Sequence, residues 1–112
     1  MSEEKQLLVA EVENEIKNIT SQLIEKYKPE KIILFGSYVW GDFNSDSDLD
    51  FLLIKNDAPY LGRDRIRELY GIIEKNIAVD FFVYKPSEID EAMKHGDPFL
   101  GNAISKGKVL YG

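Results

Sequence analysis

Asp48 and Asp50 stand two residues apart at the head of an apolar run, Asp48-Leu49-Asp50-Phe51-Leu52-Leu53-Ile54. In an extended strand, residues i and i+2 face the same side, with Cα atoms roughly 6.5–7 Å apart. Two carboxylates so placed can clamp Mg²⁺, which takes oxygen ligands in octahedral geometry. Without a cation the pair repels, and the flanking Leu49, Phe51 and Leu52 set it where a core begins. Taken alone, the run Asp46-Ser47-Asp48-Leu49-Asp50 is more often a solvated polar loop than a site. Asp80 shifts that balance. It interrupts Ala78-Val79-Asp80-Phe81-Phe82-Val83, where an unpaired ionised carboxylate is costly to bury. It is therefore exposed at a strand end or partnered by a cation, either a metal or a Lys or Arg. If its strand lies beside the one carrying Asp50, three carboxylates converge and one of them can take a proton.

Gly36-Ser37 follows a second apolar run, Lys31-Ile32-Ile33-Leu34-Phe35. A glycine there lets the backbone approach a ligand closely. Ser37 then offers a hydroxyl and an N–H at the start of a helical turn, an anion-binding position. By itself the pair also fits a plain strand-ending turn. Two competing motifs fail. Gly36-x4-Gly41 has P-loop spacing, but Asp42 and Phe43 stand where Lys and Ser/Thr are required. Asp46-x-Asp48-x-Asp50 begins like an EF-hand, but Phe51 replaces the needed Gly and Asp57 the bidentate Glu.

The elements that must position these residues follow from periodicity. Val9, Val12, Ile16, Ile19 and Leu23 predict one apolar helix stripe over 3–27, with Ser2 as cap and Lys28-Pro29 as the stop. Residues 31–36 predict a strand apolar on both faces, hence central. A second strand is expected over 48–55, a turn over 55–59, and a helix over 62–75 burying Ile66, Leu69, Tyr70, Ile72 and Ile73. A third strand runs from Ile77 to Tyr84. Pro86-Ser87 opens a short helix to about His95, with Ser87 as its cap. Asp97-Pro98 opens another to about Lys106, ended by Gly107, and Lys108–Tyr111 is left as an edge strand. Helices alternate with strands, so the class is α/β (or α+β), a small mixed sheet flanked by helices.

The 112 residues predict one domain over 1–112 with one core. A net charge of −6 argues against a broad nucleic-acid-binding face, though a nucleotide needs only a local donor cluster. With no cysteine there are neither disulfides nor thiolate metal sites. The acidic N-terminus has no signal-like apolar core and no run reaches membrane-span length, so a cytoplasmic protein is expected.

Gly36-Ser37, ten residues, then Asp48-Leu49-Asp50 resembles the G-S-x10-D-x-D signature of the DNA polymerase beta-like nucleotidyltransferase superfamily. Length and a third Asp in a later apolar strand look like its minimal nucleotidyltransferase (MNT) family, over residues from about 20 to 110. The resemblance implies Mg²⁺, two ions, on Asp48, Asp50 and Asp80, with Gly36 and Ser37 on the triphosphate of ATP or another NTP. Two metals would stabilise the attacking and leaving oxygens of an in-line displacement. Asp80 would help deprotonate an acceptor hydroxyl. Relatives commonly pair with a helical HEPN-domain toxin, and some act as antitoxin by transferring AMP to a toxin tyrosine. A homo- or hetero-oligomer would fit that role.

One departure stands out. Many relatives read Gly-Ser-x-Ala-Arg-Gly, and this chain has Gly36-Ser37-Tyr38-Val39-Trp40-Gly41. Trp40 replaces a basic residue. Arg63, Arg65 and Arg67 could supply charge, though at least two of them read as a solvated helix face. His95, the only histidine, reads as a capping or solvent residue. Two alternatives remain open at this stage: an inactive antitoxin that blocks its partner by contact, and a small-molecule nucleotidyltransferase completed by a partner subunit.

Overall fold

The computed structural model describes residues 3–44 and 46–112, so the expected cap at Ser2 lies outside the described residues. Helix α1, Glu3–Gln22, continues into a wider π-type turn, Leu23–Tyr27. Lys28, just ahead of Pro29, ends it in the left-handed region (φ 60°), donating its N–H to the Leu23 carbonyl. Val12, Ile16, Ile19, Leu23 and Tyr27 form the buried stripe; Val9, expected in it, is exposed.

Strand β1 is Lys31–Phe35, α2 is Ser37–Trp40, β2 is Leu49–Ile54, α3 is Gly62–Ile72 and β3 is Val79–Tyr84. Then follow α4, Pro86–Lys94, α5, Pro98–Lys106, and β4, Lys108–Tyr111. The sheet order is β3-β2-β1-β4. β1 is antiparallel to both neighbours, and β2 is parallel to β3. A parallel pair cannot be joined by a hairpin, and α3 supplies the crossover.

Alternation along the strands builds two apolar faces. Ile32, Leu34, Phe51, Leu53, Phe81 and Val83 pack with α1 and α3. Ile33, Phe35, Leu52, Phe82 and Tyr84 pack with α4 and α5, through Ile89, Leu100 and Ala103. Both faces of β1 are covered, as its sequence predicts. Gly107 is required where α5 turns into β4. A Cβ there would stand 2.2 Å from the Ala103 carbonyl oxygen and 2.6 Å from Ile33 Cγ2.

Two local expectations need correction. Ser87 does not cap α4: Lys85 is the cap residue, Pro86 takes the first helical position, and the Lys85 N–H donates to Glu88 Oε1 at 2.7 Å. Asp97 caps α5 as expected, accepting from the N–H groups of Phe99 and Leu100. On α3, Tyr70 is exposed rather than buried, and Arg65 takes the buried place. Arg65, Leu69 and Ile73 recur every fourth residue, which is one helix face.

Arg65 is 5% exposed and forms a two-point pair with Glu88, at 2.6 and 3.1 Å. It also donates to the carbonyls of Pro59, Tyr60 and Val83. One guanidinium thus ties α3, its leading loop, the end of β3 and the start of α4. Arg63 and Arg67 are exposed, as expected of the helix face. Glu88 is half-exposed, but removing it leaves the buried Arg65 guanidinium without its charge partner. Glu88→Ala is therefore expected to cost about 2–3 kcal/mol, toward the low side because three carbonyls still hold Arg65. Urea unfolding measures this, and a loss below about 0.5 kcal/mol, the scale of a neutral surface change, would reject the clamp.

Candidate active site

The chain leaves β1 at Gly36 with φ 86° and ψ −157°, a backbone region essentially restricted to glycine. A single helical turn follows, in which the N–H groups of Val39 and Trp40 both bond the Gly36 carbonyl. Gly41, at φ 95°, closes it. A Cβ on Gly36 would lie 2.1 Å from Asp50 Oδ2, so the glycine backbone rests directly on that carboxyl. Ser37, half-exposed, stands at the first position of the turn.

Sheet register brings the acidic residues together. Phe35 pairs with Asp50 across β1 and β2, and Asp50 with Asp80 across β2 and β3. By alternation Asp50 and Asp80 lie on the face that carries Leu52 and Phe82, toward α4 and α5. Asp48 sits one residue ahead of β2. Asp48 and Asp80 are exposed and Asp50 is half-buried. Asp80 is exposed near the start of β3, and among the described residues it makes no ion pair with Lys or Arg.

The carboxyls press on one another. Burial, then Asp80, then Asp48 push the Asp50 carboxyl up to about 6. Asp80 is also raised, first by burial and then by the Asp48 charge; Lys75 pulls the other way. Tyr70, which sequence reading assigned to the core, has its hydroxyl on the Val79 carbonyl at 2.9 Å, and burial, Asp80 and Asp48 raise its phenol. Its place beside the acidic residues had no signal in the sequence.

The donor set is all carboxylate oxygen, which suits a hard divalent cation. Among the described residues no group of three carboxylate, histidine or cysteine side chains is drawn together as a finished metal cage. The three aspartates stand as neighbours whose mutual repulsion a cation would relieve, and in that chemical sense they fit one.

The other singled-out residues fall away from these carboxylates in role. Trp40 is 46% exposed, and its indole N–H donates to the Lys106 carbonyl at 3.3 Å, tying α2 to the end of α5. His95 is exposed at the end of α4 and pairs with Glu91, as a capping or solvent residue would. A groove of about 570 Å³ lies elsewhere, lined by Glu11, Asn14, Glu15, Asn18 and Asn76 among others. Glu15 is already engaged there by Asn18 and by the Asn76 N–H. Among the described residues, strained backbone and interacting titratable groups coincide at the carboxylates, which marks them as the candidate site.

Two tests follow from this geometry. The folded state keeps a proton on Asp50 that the unfolded chain has released between 3.8 and about 6, so stability falls as pH rises through that window. Without divalent cations, Asp50→Asn is expected to melt above wild type at about pH 7.5, with the gap closing toward about pH 4. Equal melting temperatures at the higher pH would show that the charge carries no cost. Gly36→Ala adds both strain and a clash with Asp50, and is expected to lose about 1–3 kcal/mol in thermal or urea unfolding. A variant as stable as wild type would refute the close approach.

Comparison with known proteins shows the family. The nucleotidyltransferase domain family model matches residues 14–103. Two Methanocaldococcus jannaschii proteins are similar: "Putative protein adenylyltransferase MJ0141", 31% identical over 79% of this chain and 95% of that protein, and "Putative protein adenylyltransferase MJ0604", 30% identical over 88% and 97%. The crystal structure of a "putative nucleotidyltransferase" from Sulfolobus solfataricus matches with a TM-score of 0.50 and 25% identity, over 67% of each chain. Its likeness fits the mixed sheet flanked by helices. With a family match over most of its length and two relatives of similar length at 30% identity or more, the chain belongs to the nucleotidyltransferase domain family and is a nucleotidyltransferase.

Proposed function

We propose that the chain transfers AMP, or another nucleoside monophosphate, from ATP or another NTP to a tyrosine hydroxyl of a HEPN-type protein partner in the cytoplasm, and so acts as its antitoxin. The observation that carries this reading is the grouping of Asp48, Asp50 and Asp80 beside the Gly36-Ser37 bend. The two relatives named as protein adenylyltransferases support a protein acceptor.

In this reading Gly36 and Ser37 hold the triphosphate at the start of α2, where backbone N–H groups face outward. Asp48, Asp50 and Asp80 would hold Mg²⁺, which when bound neutralises charge on the phosphates. Asp80, exposed at its strand end and raised toward protonation, takes the proton of the acceptor hydroxyl. The hydroxyl oxygen forms a bond to the α-phosphorus. The bond from that phosphorus to the bridging oxygen breaks, and pyrophosphate leaves with the electron pair. Lys75 lies near enough to Asp80 to favour its ionised form before the proton moves.

Mass spectrometry of the partner tests this. With ATP and Mg²⁺, wild-type protein should add one AMP to a partner tyrosine, and Asp48→Ala/Asp50→Ala should add none. No adduct from folded wild-type protein would reject the activity. A second reading, neutralisation by contact alone, draws on Trp40, whose indole is used on the Lys106 carbonyl where many relatives carry a basic residue. Full neutralisation of the partner by the double variant would favour it.

A further inference from the structure

Three phenylalanines form a cluster next to the acidic residues. Phe99 lies 5.6 Å from Phe35 and 5.2 Å from Phe82, centroid to centroid, and Phe35 lies 5.5 Å from Phe82. Phe35 is buried and Phe82 half-buried, whereas Phe99 stays 41% exposed. Its two supporting rings are the residue before Gly36 and the residue two after Asp80. Phe82 and Asp80 share one face of β3, a step of roughly 6.5–7 Å along the strand. Phe35 pairs with Asp50 on the same face. The exposed ring therefore rests its back on two side chains that adjoin the acidic end of the sheet. Asp97 fixes its backbone, accepting from the Phe99 N–H at 2.9 Å.

We infer that Phe99 is the platform on which the nucleobase of the donor nucleotide stacks. The inference rests on the nucleotidyl-transfer reading of the site. A single ligand that reaches the Gly36-Ser37 bend, the carboxylates and this ring must be phosphorylated at one end and planar at the other, and a nucleoside triphosphate has that form. An aromatic ring offers any base a face and no hydrogen-bond pattern, so the platform holds purines without choosing between them.

Calorimetric titration with ATP, GTP and inorganic tripolyphosphate, each with Mg²⁺, separates the parts. Base–aromatic stacking is worth about five- to a hundredfold in affinity. Phe99→Ala should weaken ATP and GTP by that factor and leave tripolyphosphate, which has no base, unchanged. Phe99→Trp and Phe99→Tyr should stay within about threefold of wild type, since any aromatic face serves. Phe99→Leu, which keeps apolar bulk and so guards against an alanine variant that unfolds, should bind ATP weakly and tripolyphosphate normally. ATP affinity unchanged in both Phe99→Ala and Phe99→Leu would overturn the platform while leaving the transfer reading intact. Equal weakening of ATP and tripolyphosphate by Phe99→Leu would overturn it too, because the ring would then only shape the site. Weaker saturation by the acceptor with normal ATP binding would put the acceptor on the ring and also overturn the inference. Wild-type protein that bound neither ATP nor tripolyphosphate would overturn the transfer reading and the platform together.

Discussion

Antiparallel pairing of β1 with β2 sets Phe35 opposite Asp50, and parallel pairing of β2 with β3 sets Asp50 beside Asp80. Everything at the acidic end of the sheet depends on that alignment. A slip of one residue would turn every side chain of a strand to the other face. Asp50 would then point into the core shared with α1 and α3, and Leu49, Phe51 and Leu53 would turn to the face of Leu52 and Leu100. The register is held by burial on both faces, not by the aspartates themselves. Leu49, Phe51, Leu52 and Leu53 are all fully buried, so the apolar residues of β2 aim the polar ones.

The same alignment sets charge against fold. Three like-charged groups stand together, one of them half-buried, and none has an ion-pair partner among the described residues. The rest of the molecule is consistent with tolerating this. An apolar cluster covers each sheet face, Arg65 knots four segments at the far end of β3, and Gly36 gives up a side chain to let the backbone meet Asp50. Strain and repulsion collect at one end of the sheet, while the Arg65 clamp sits at the other. Such a division is expected when a scaffold supports reactive groups it would be more stable without.

The sequence showed the sheet well because its strands are apolar on both faces and its helices begin and end on strong signals: Lys28-Pro29, Asp97-Pro98 and Gly107 all act as read. The Gly-Ser and Asp-x-Asp pairs were legible for the same reason, each placed at a strand end by its neighbours. Arg65 was harder. Its four-residue spacing to Leu69 and Ile73 was present, but an arginine on a buried stripe needs Glu88, which is remote in sequence, to make sense. Tyr70 was misplaced because a tyrosine can lie against a helix and still show its ring to solvent. Phe99 carried no sequence signal beyond its helix start, since its meaning comes from Phe35 and Phe82, brought to it by the fold.

β3 is an outer strand of the sheet, and its sequence, Val79-Asp80-Phe81-Phe82-Val83-Tyr84, would be a self-associating segment but for one charge. Asp80 stands exposed near its start, on an edge where another chain could otherwise add a strand. A charge at such an edge disfavours the addition of a further strand. Removing it with alanine leaves an uncharged aromatic edge, and a loss of function in such a variant would mix lost chemistry with aggregation; asparagine or lysine at the same place keeps the edge wet.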